Sequence, residues 1–236
     1  MAEPTPEAEV FTTLNALVHE TDEPAEIYAS IVAAAVHLVD GCDHAAIMLH
    51  HHDHYLCAAV SDEVAQQVDD LQIAVDDGPC IDAIEHQDDA IHHDPDLRHD
   101  PTWPTLAERV LAETPVRGMI GCRLRIDDRR VGALDFFGDT PGGLTERSVD
   151  QASVLAAMAS ASIATVVARE EARHLTRALE SSREIGKAIG LIMAARKIDD
   201  KQAFEVLRAT SQHLNMKLAT VAEEIVRGQR AQSRAR

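Results

Sequence analysis

Aromatic residues are scarce: four Phe, two Tyr and one Trp make up 3% of 236 residues. So few rings argue against a surface that recognises sugars or splayed bases by stacking. A disulfide framework is excluded as well. The four cysteines, Cys42, Cys57, Cys80 and Cys122, stand far apart with no CxxC pair, which suits a reducing compartment. No uninterrupted apolar run reaches the ~18 residues of a spanning helix, so no membrane partner is expected. The opening MAEPTPEAEV has neither a positive start nor an apolar stretch, so no export signal is expected and a cytoplasmic location is. There is no P-loop, no GxSxG elbow and no HExxH motif, so an enzyme is not expected.

What the chain has is apolar content and an uneven charge. Hydrophobic residues reach 45%, enough for a buried core. The net charge of −18 divides into a segment 1–168 at −23 and a segment 169–236 at +5, with all four lysines in the second. The first segment repels polyanions, and the second suits phosphate. Punctuation divides the chain in the same way. All nine prolines fall at or before Pro141, and only Gly186, Gly190 and Gly228 follow Gly143. The remainder therefore reads as helix.

Before that point, helical spacing covers residues 10–18 and 24–39, with Gly41 as the expected C′ residue of the second helix. His44–His50 and Tyr55–Val60 read as a hairpin around a polar tip. Residues 62–70 read as helix, Leu71–Val75 as strand, and Asp77-Gly78-Pro79 as a turn that opens a helix at Cys80. A helix over Trp103–Ala112 precedes a second hairpin, Met119–Ile126 with Val131–Phe137. Alternating helices and antiparallel hairpins predict an α+β fold.

From Thr145 a very long helix follows. Read in sevens, positions 154, 161, 168, 175, 182 and 189 with 158, 165, 172, 179, 186 and 193 are apolar at nine of twelve, the seam of a linking coiled coil. A homodimer is expected from it. Asp199 with Gln202 predicts an N-cap and its N3 partner on a next helix. Asn215 predicts a second N-cap, before Leu218, Val221, Ala222, Ile225 and Val226.

Two stretches resemble known families. SSREIGKAIGLIM (181–193) followed by AFEVLRATSQHLNMKLATVAEEIV (203–226) resembles an ANTAR domain, the RNA-binding module of transcription antitermination regulators. The matching residues are Arg183, Ile185, Ala188, Gly190 and Met193, then Ala203, Phe204, Leu207 and Ser211, then Asn215, Leu218, Val221 and Ala222. Residues 10–170 resemble a GAF sensory domain through Asp77-Gly78-Pro79-Cys80, Trp103-Pro104, Arg117-Gly118, Arg130-Val131-Gly132-Ala133-Leu134 and Phe136-Phe137. The resemblance implies a GAF-like antiparallel sheet with flanking helices (1–168) and a C-terminal three-helix ANTAR module (169–236), joined by a helix over about 145–195. It further implies a signal-responsive antiterminator that binds stem-loop RNA in nascent transcripts, with a small-molecule ligand at the GAF domain. No cofactor is singled out.

RNA contacts are expected from Arg183, Lys187, Arg208 and Lys217 on phosphate, with Ser211 and Asn215 as hydrogen-bonding readers and Gly190 allowing close approach. Cys80, at a helix start that favours thiolate, and Trp103 are the candidates for redox or ligand sensing. Histidines cluster at His50-His51-His52-Asp53-His54 and His92-His93-Asp94, which read as polar turns, so no metal is assigned. A DNA-binding regulator with a GAF sensor, a GAF-fold thiol reductase, and a sensor that docks protein partners are the rival readings.

Overall fold

The computed structural model describes residues 23–51, 54–86, 90–126 and 131–234, together with Thr12 and Ala16. The helix expected over residues 10–18 lies outside them apart from Thr12 and Ala16, which are helical. The chain divides into two compact units, Met1–Arg169 and Glu170–Arg236.

The first unit is an α+β layer structure. Helix α1 (Pro24–Leu38) begins with proline in its first turn, where the missing N–H costs nothing, and buries Ile27, Ile31, Val32, Ala34 and Ala35. Its C-cap is Val39, in extended conformation, and Gly41 turns the chain two residues later at φ 78. Gly41 is therefore the turn residue beyond the cap rather than the C′ residue. Strands β1 (His44–His51) and β2 (His54–Val60) form the first hairpin. Helix α2 (Glu63–Val75) is capped by Asp62, whose carboxylate accepts from the Ala65 N–H at 3.0 Å. It runs through the segment expected as a strand. Val68, Leu71 and Gln72 keep helical spacing, and the helix stops only at Asp76 in left-handed conformation.

Helix α3 (Pro79–Glu85), strand β3 (Ile91–Asp94) and helix α4 (Pro104–Glu113) lead to the second hairpin, β4 (Gly118–Arg125) with β5 (Val131–Gly138). The sheet order is β2-β1-β5-β4-β3, antiparallel throughout. Side chains alternate across it. Ala45, Ile47, Ile120, Cys122, Leu124, Leu134 and Phe136 join the core under α1, whereas Ala46, Met48, Met119, Ala133 and Phe137 face α2, α3 and α4. Each fully buried Phe or Ile on these faces contributes roughly 1.5–3 kcal/mol of transfer free energy.

Helix α5 (Glu146–Arg196) is 51 residues long. Its early turns supply Ala152, Leu155, Ala156, Ala159, Ile163, Val166 and Val167 to the core under α1. Averaged over a window, part of α5 is apolar enough by length and composition to cross a membrane, which a search for uninterrupted runs overlooks. Seven of the apolar side chains from Ala152 to Val167 are buried in the core under α1, whereas Val154, Ala157 and Ala161 are exposed.

In the second unit, the last turns of α5 pack with α6 (Asp200–Leu214) and α7 (Leu218–Arg234) around Ala188, Ile192, Ala203, Leu207, Val221, Ala222 and Val226. Helix α6 opens on a reciprocal capping box. Asp199 accepts from the Gln202 N–H at 2.8 Å, and the Gln202 side chain accepts from the Asp199 N–H at 3.4 Å. Asn215 ends α6 in left-handed conformation (φ 51), its N–H on the Gln212 and Ser211 carbonyls. It is the C-cap of α6 rather than the N-cap of α7, a position where Asn tolerates the left-handed region that most side chains avoid.

Candidate functional site

The first unit holds a buried polar cluster on the α2–α3 side of its sheet. Asp135 lies on the central strand β5, paired with Ala46 on β1 and Gly121 on β4, on the face covered by α2 and α3. Its two cross-strand neighbours are the smallest residues available, which leaves room above the strand. That room is filled by Asp69 and Gln72, one turn apart on α2, and by Cys80 on α3. All four residues are sealed from solvent, at 0% exposure.

Local backbone chemistry fixes these groups. Gly78 caps α3 at φ 141, and a Cβ there would sit 2.5 Å from the Gln72 Oε1. That oxygen instead accepts the Cys80 N–H at 3.1 Å. A Cβ on Gly121 would lie 2.5 Å from the Pro79 carbonyl carbon and oxygen, so the missing side chain lets α3 rest directly on β4. The Cys80 thiol donates to the Asp135 Oδ2. One ligating atom each from Asp69, Cys80 and Asp135 falls within 4.8 Å of the others.

Electrostatically the cluster is under stress. Burial and then the facing Asp69 charge raise the Asp135 carboxyl well above the usual range. Burial also raises Asp69, so the two acids behave as a pair that shares a proton. Neither oxygen of Asp69 has a well-formed hydrogen bond, although the Cys57 thiol lies against it. The Gln72 Nε2 and Asp135 Oδ1 likewise have no well-formed hydrogen bond, although the Gln72 side chain lies against the Asp135 carboxyl. Burial and then Asp135 push the Cys80 thiol upward, so the thiolate expected from its place at a helix start is not favoured here. Burial also raises Cys42 and Cys122, each to about 12.

Trp103 is the N-cap of α4 and nearly buried; its Nε1 donates to the Asp82 Oδ2 at 2.8 Å. Its ring meets His92 edge-on at 6.4 Å between centroids, which makes it a packing anchor between α4, α3 and β3. The histidine groups do not converge. His50, His51 and His54 belong to the β1–β2 hairpin, whereas His92 and His93 lie on β3 at the other edge of the sheet. His52 and Asp53 lie outside the described residues. His93 is engaged with the Leu144 carbonyl at 2.9 Å.

In the second unit, Arg183, Arg208, Asn215 and Lys217 are exposed and Lys187 is half-buried. Lys187 pairs with Glu184 and Arg208 with Glu205, each at 2.5 Å. Arg183 and Lys217 have no ion-pair partner among the described residues. The Ser211 hydroxyl donates to the Met216 carbonyl at 2.6 Å, so its proton is committed to the turn after α6. A Cβ on Gly186 or Gly190 would meet nothing within 4 Å. Both glycines therefore leave open backbone on the helix surface.

A GAF domain matches residues 21–164 and an ANTAR domain matches residues 173–226. The chain belongs to the GAF domain family, with an ANTAR domain following the sensor. This pairing makes it a signal-responsive regulator carrying an RNA-binding module. No curated protein matches the chain. Among solved structures it is similar to the phycoerythrobilin-bound GAF domain from a cyanobacterial phytochrome, at 14% identity and TM-score 0.54, covering 71% of this chain and 99% of that one. It is also similar to the free methionine-R-sulfoxide reductase from Neisseria meningitidis in complex with its substrate, at 14% identity and TM-score 0.51, covering 72% and 96%. At these identities the likeness concerns the fold alone.

Sequence reasoning singled out Cys80 but missed Asp69, Gln72 and Asp135. A signal was available. Asp135 interrupts the strand VGALDFFG, and Asp69 with Gln72 sits among the apolar positions Ala65, Val68 and Leu71 of α2.

Proposed function

We propose that the chain is a transcription antitermination regulator, in which the GAF unit senses a signal and controls binding of stem-loop RNA by the ANTAR unit. The observation that carries this reading is the helix α5. The GAF match ends at residue 164 and the ANTAR match begins at 173, and Glu146–Arg196 runs unbroken through both. A change in packing at the early turns of α5 therefore has a continuous element along which to reach the RNA-binding residues.

RNA is held by Arg183, Lys187, Arg208 and Lys217 on phosphate, with Asn215 at the turn as a reader and Gly190 giving close approach. The active species is a homodimer. Val154, Leu175 and Leu179 are 60%, 62% and 64% exposed and occupy seam positions of the heptad pattern. Such large apolar side chains suit burial against the same seam of a second copy. The protein is cytoplasmic and not an enzyme: Cys80 and Cys122 are sealed from solvent, and burial pushes the half-exposed Cys57 thiol upward, which disfavours a reductase-type thiolate.

The test is binding of the full chain to a paired stem-loop RNA and to duplex DNA of equal charge, across a salt series. RNA preference that persists at moderate salt supports the reading. Equal or better binding to duplex DNA overturns it in favour of a DNA-binding regulator.

A further inference from the structure

We propose that the GAF unit binds one divalent transition-metal ion, of the zinc class, through Asp69, Cys80 and Asp135. The proposal concerns the sensor unit and does not rest on the RNA-binding reading.

Three independent features converge on the site. The first is the donor set. Two carboxylates and a thiol, all at 0% exposure, each offer a ligating atom within 4.8 Å of the other two. They come from three separate elements, α2, α3 and β5, so the fold and not the local sequence brings them together. The second is the unmet hydrogen bonding. Asp69 holds both oxygens, and Asp135 its Oδ1, without a well-formed partner in the dry interior. A buried unsatisfied carboxylate is costly, and a cation among three anionic donors removes that cost. The third is Gln72, equally sealed, whose Oε1 is fixed by the Cys80 N–H while its Nε2 has no well-formed hydrogen bond and the side chain lies against the Asp135 carboxyl.

Donor chemistry narrows the ion. A thiolate disfavours magnesium and calcium, which take oxygen ligands, while the mixture of oxygen and sulfur suits zinc or another borderline divalent ion. Three protein donors leave a tetrahedral ion one position for an external ligand, water in the first instance. The Gln72 Nε2 supplies a hydrogen-bond donor within the same cluster. Binding displaces the Cys80 thiol proton and the proton shared by the two carboxyl groups to solvent, and no electron moves.

The neighbouring polar groups differ in role. Cys57 on β2 lies against Asp69 and is not among the three converging atoms. Cys122 projects to the opposite face of the sheet, into the core under α1. His50 and His54 belong to the β1–β2 hairpin and the half-buried His92 and His93 to strand β3, and none is among the three converging donors. The site also explains two glycines: Gly78 and Gly121 bring α3 against Gln72 and β4, and so hold Cys80 over Asp135.

The experiment is cobalt titration of the reduced, chelator-treated full chain, with the metal supplied both to native protein and during refolding, because the site is closed to solvent. One equivalent per chain is expected, with a thiolate-to-cobalt charge-transfer band in the near ultraviolet. Cys80→Ser removes that band, and Asp69→Asn or Asp135→Asn weakens binding by about a hundredfold or more, since even outer partners of a metal are worth about 10–100-fold. His92→Gln with His93→Gln leaves the band unchanged.

A wild-type chain without the band overturns the proposal. So does a band that survives Cys80→Ser, or binding without sulfur that is lost in the histidine variant. Where circular dichroism shows a cluster variant unfolded, X-ray absorption of the zinc-loaded wild type decides. One sulfur near ~2.3 Å among oxygen ligands near ~2.0–2.2 Å supports the site, and a sulfur-free shell overturns it. RNA binding measured on the metal-free chain separates failure of this proposal from failure of the RNA-binding reading.

Discussion

The Cys80 thiol donates its hydrogen to the Asp135 carboxylate in a place that solvent does not reach. One partner stands on a seven-residue helix and the other on the middle strand of the sheet, 55 positions apart. What holds them together is backbone packing. The start of α3 lies on Gly121 so closely that no side chain fits between.

Gly121→Ala is therefore expected to destabilise the first unit by about 2 kcal/mol or more. The new Cβ meets backbone atoms of Pro79, which cannot rotate away as a flexible side chain would, and overpacking of this kind costs about 1–3 kcal/mol. Urea unfolding of the variant against wild type checks this. A change below about 0.5 kcal/mol would mean that α3 shifts freely on the sheet.

The first unit's stability should also depend on pH through His44. Its Nδ1 sits 2.7 Å from the Asp62 Oδ2, and its Nε2 sits 3.4 Å from the Asp139 Oδ1. Burial opposes its charging, but the Asp62 hydrogen bond and the Asp62 and Asp139 charges outweigh it, so its pKa is raised. That stabilisation is complete below the unfolded value of ~6.5 and is lost as pH rises through the raised one. Burial works against the Asp62 carboxylate too, but its bonds from His44 and the Ala65 N–H lower its pKa. Its share is thus present above ~3.9 and lost as pH falls through the lowered value. The melting-temperature gap between wild type and His44→Gln is expected to be widest near about pH 5 and to narrow above about pH 8. A gap that stays constant across that range would remove the charge-pair explanation.

Much of the fold is legible along the chain, and the polar cluster is not, for a physical reason. Hairpins, helix starts and the Asp199–Gln202 box are local, so alternation and capping residues announce them. The strand Leu71–Val75 misled because a short apolar run fits either period, and only the left-handed Asp76 reveals that the helix continues. Strand β3 is four residues rich in histidine and has no apolar alternation to mark it. Asp69 and Asp135 look locally like ordinary acidic residues. Their meeting depends on the strand order, which places β5 in the centre beneath α2 and α3.

The exposed seam on α5 yields a prediction about assembly. Leu175 and Leu179 lie in a stretch of helix whose residues are almost all exposed, so Leu175→Glu with Leu179→Glu removes no contact within one chain. Each chain's own stability should stay within about ±0.5 kcal/mol, while the dimer dissociates at concentrations where wild type does not. Sedimentation velocity reads the change. A monomeric wild type, or a double variant that sediments as wild type does, would eliminate this seam as the interface.

The basic residues of the second unit give the sharpest test of how RNA is held. Lys187 and Arg208 each lean on a glutamate three residues earlier, Glu184 and Glu205, in exposed or half-exposed pairs of the kind that contribute little to stability. RNA phosphate competes with those glutamates for the same cations, so the pairs should open on binding. Lys187→Ala with Arg208→Ala is expected to weaken stem-loop binding and to lower the slope of log affinity against log salt by roughly 1.4–1.8, the release from two phosphate contacts. Glu184→Gln with Glu205→Gln should act in the opposite direction, strengthening binding by freeing both cations. Both variants should keep their helical circular dichroism, because the altered groups lie outside the apolar cluster around Ala188, Leu207 and Ala222. If the salt slope is unchanged in the first variant, the phosphate-binding face lies elsewhere on the module, with Arg183 and Lys217 the next residues to replace.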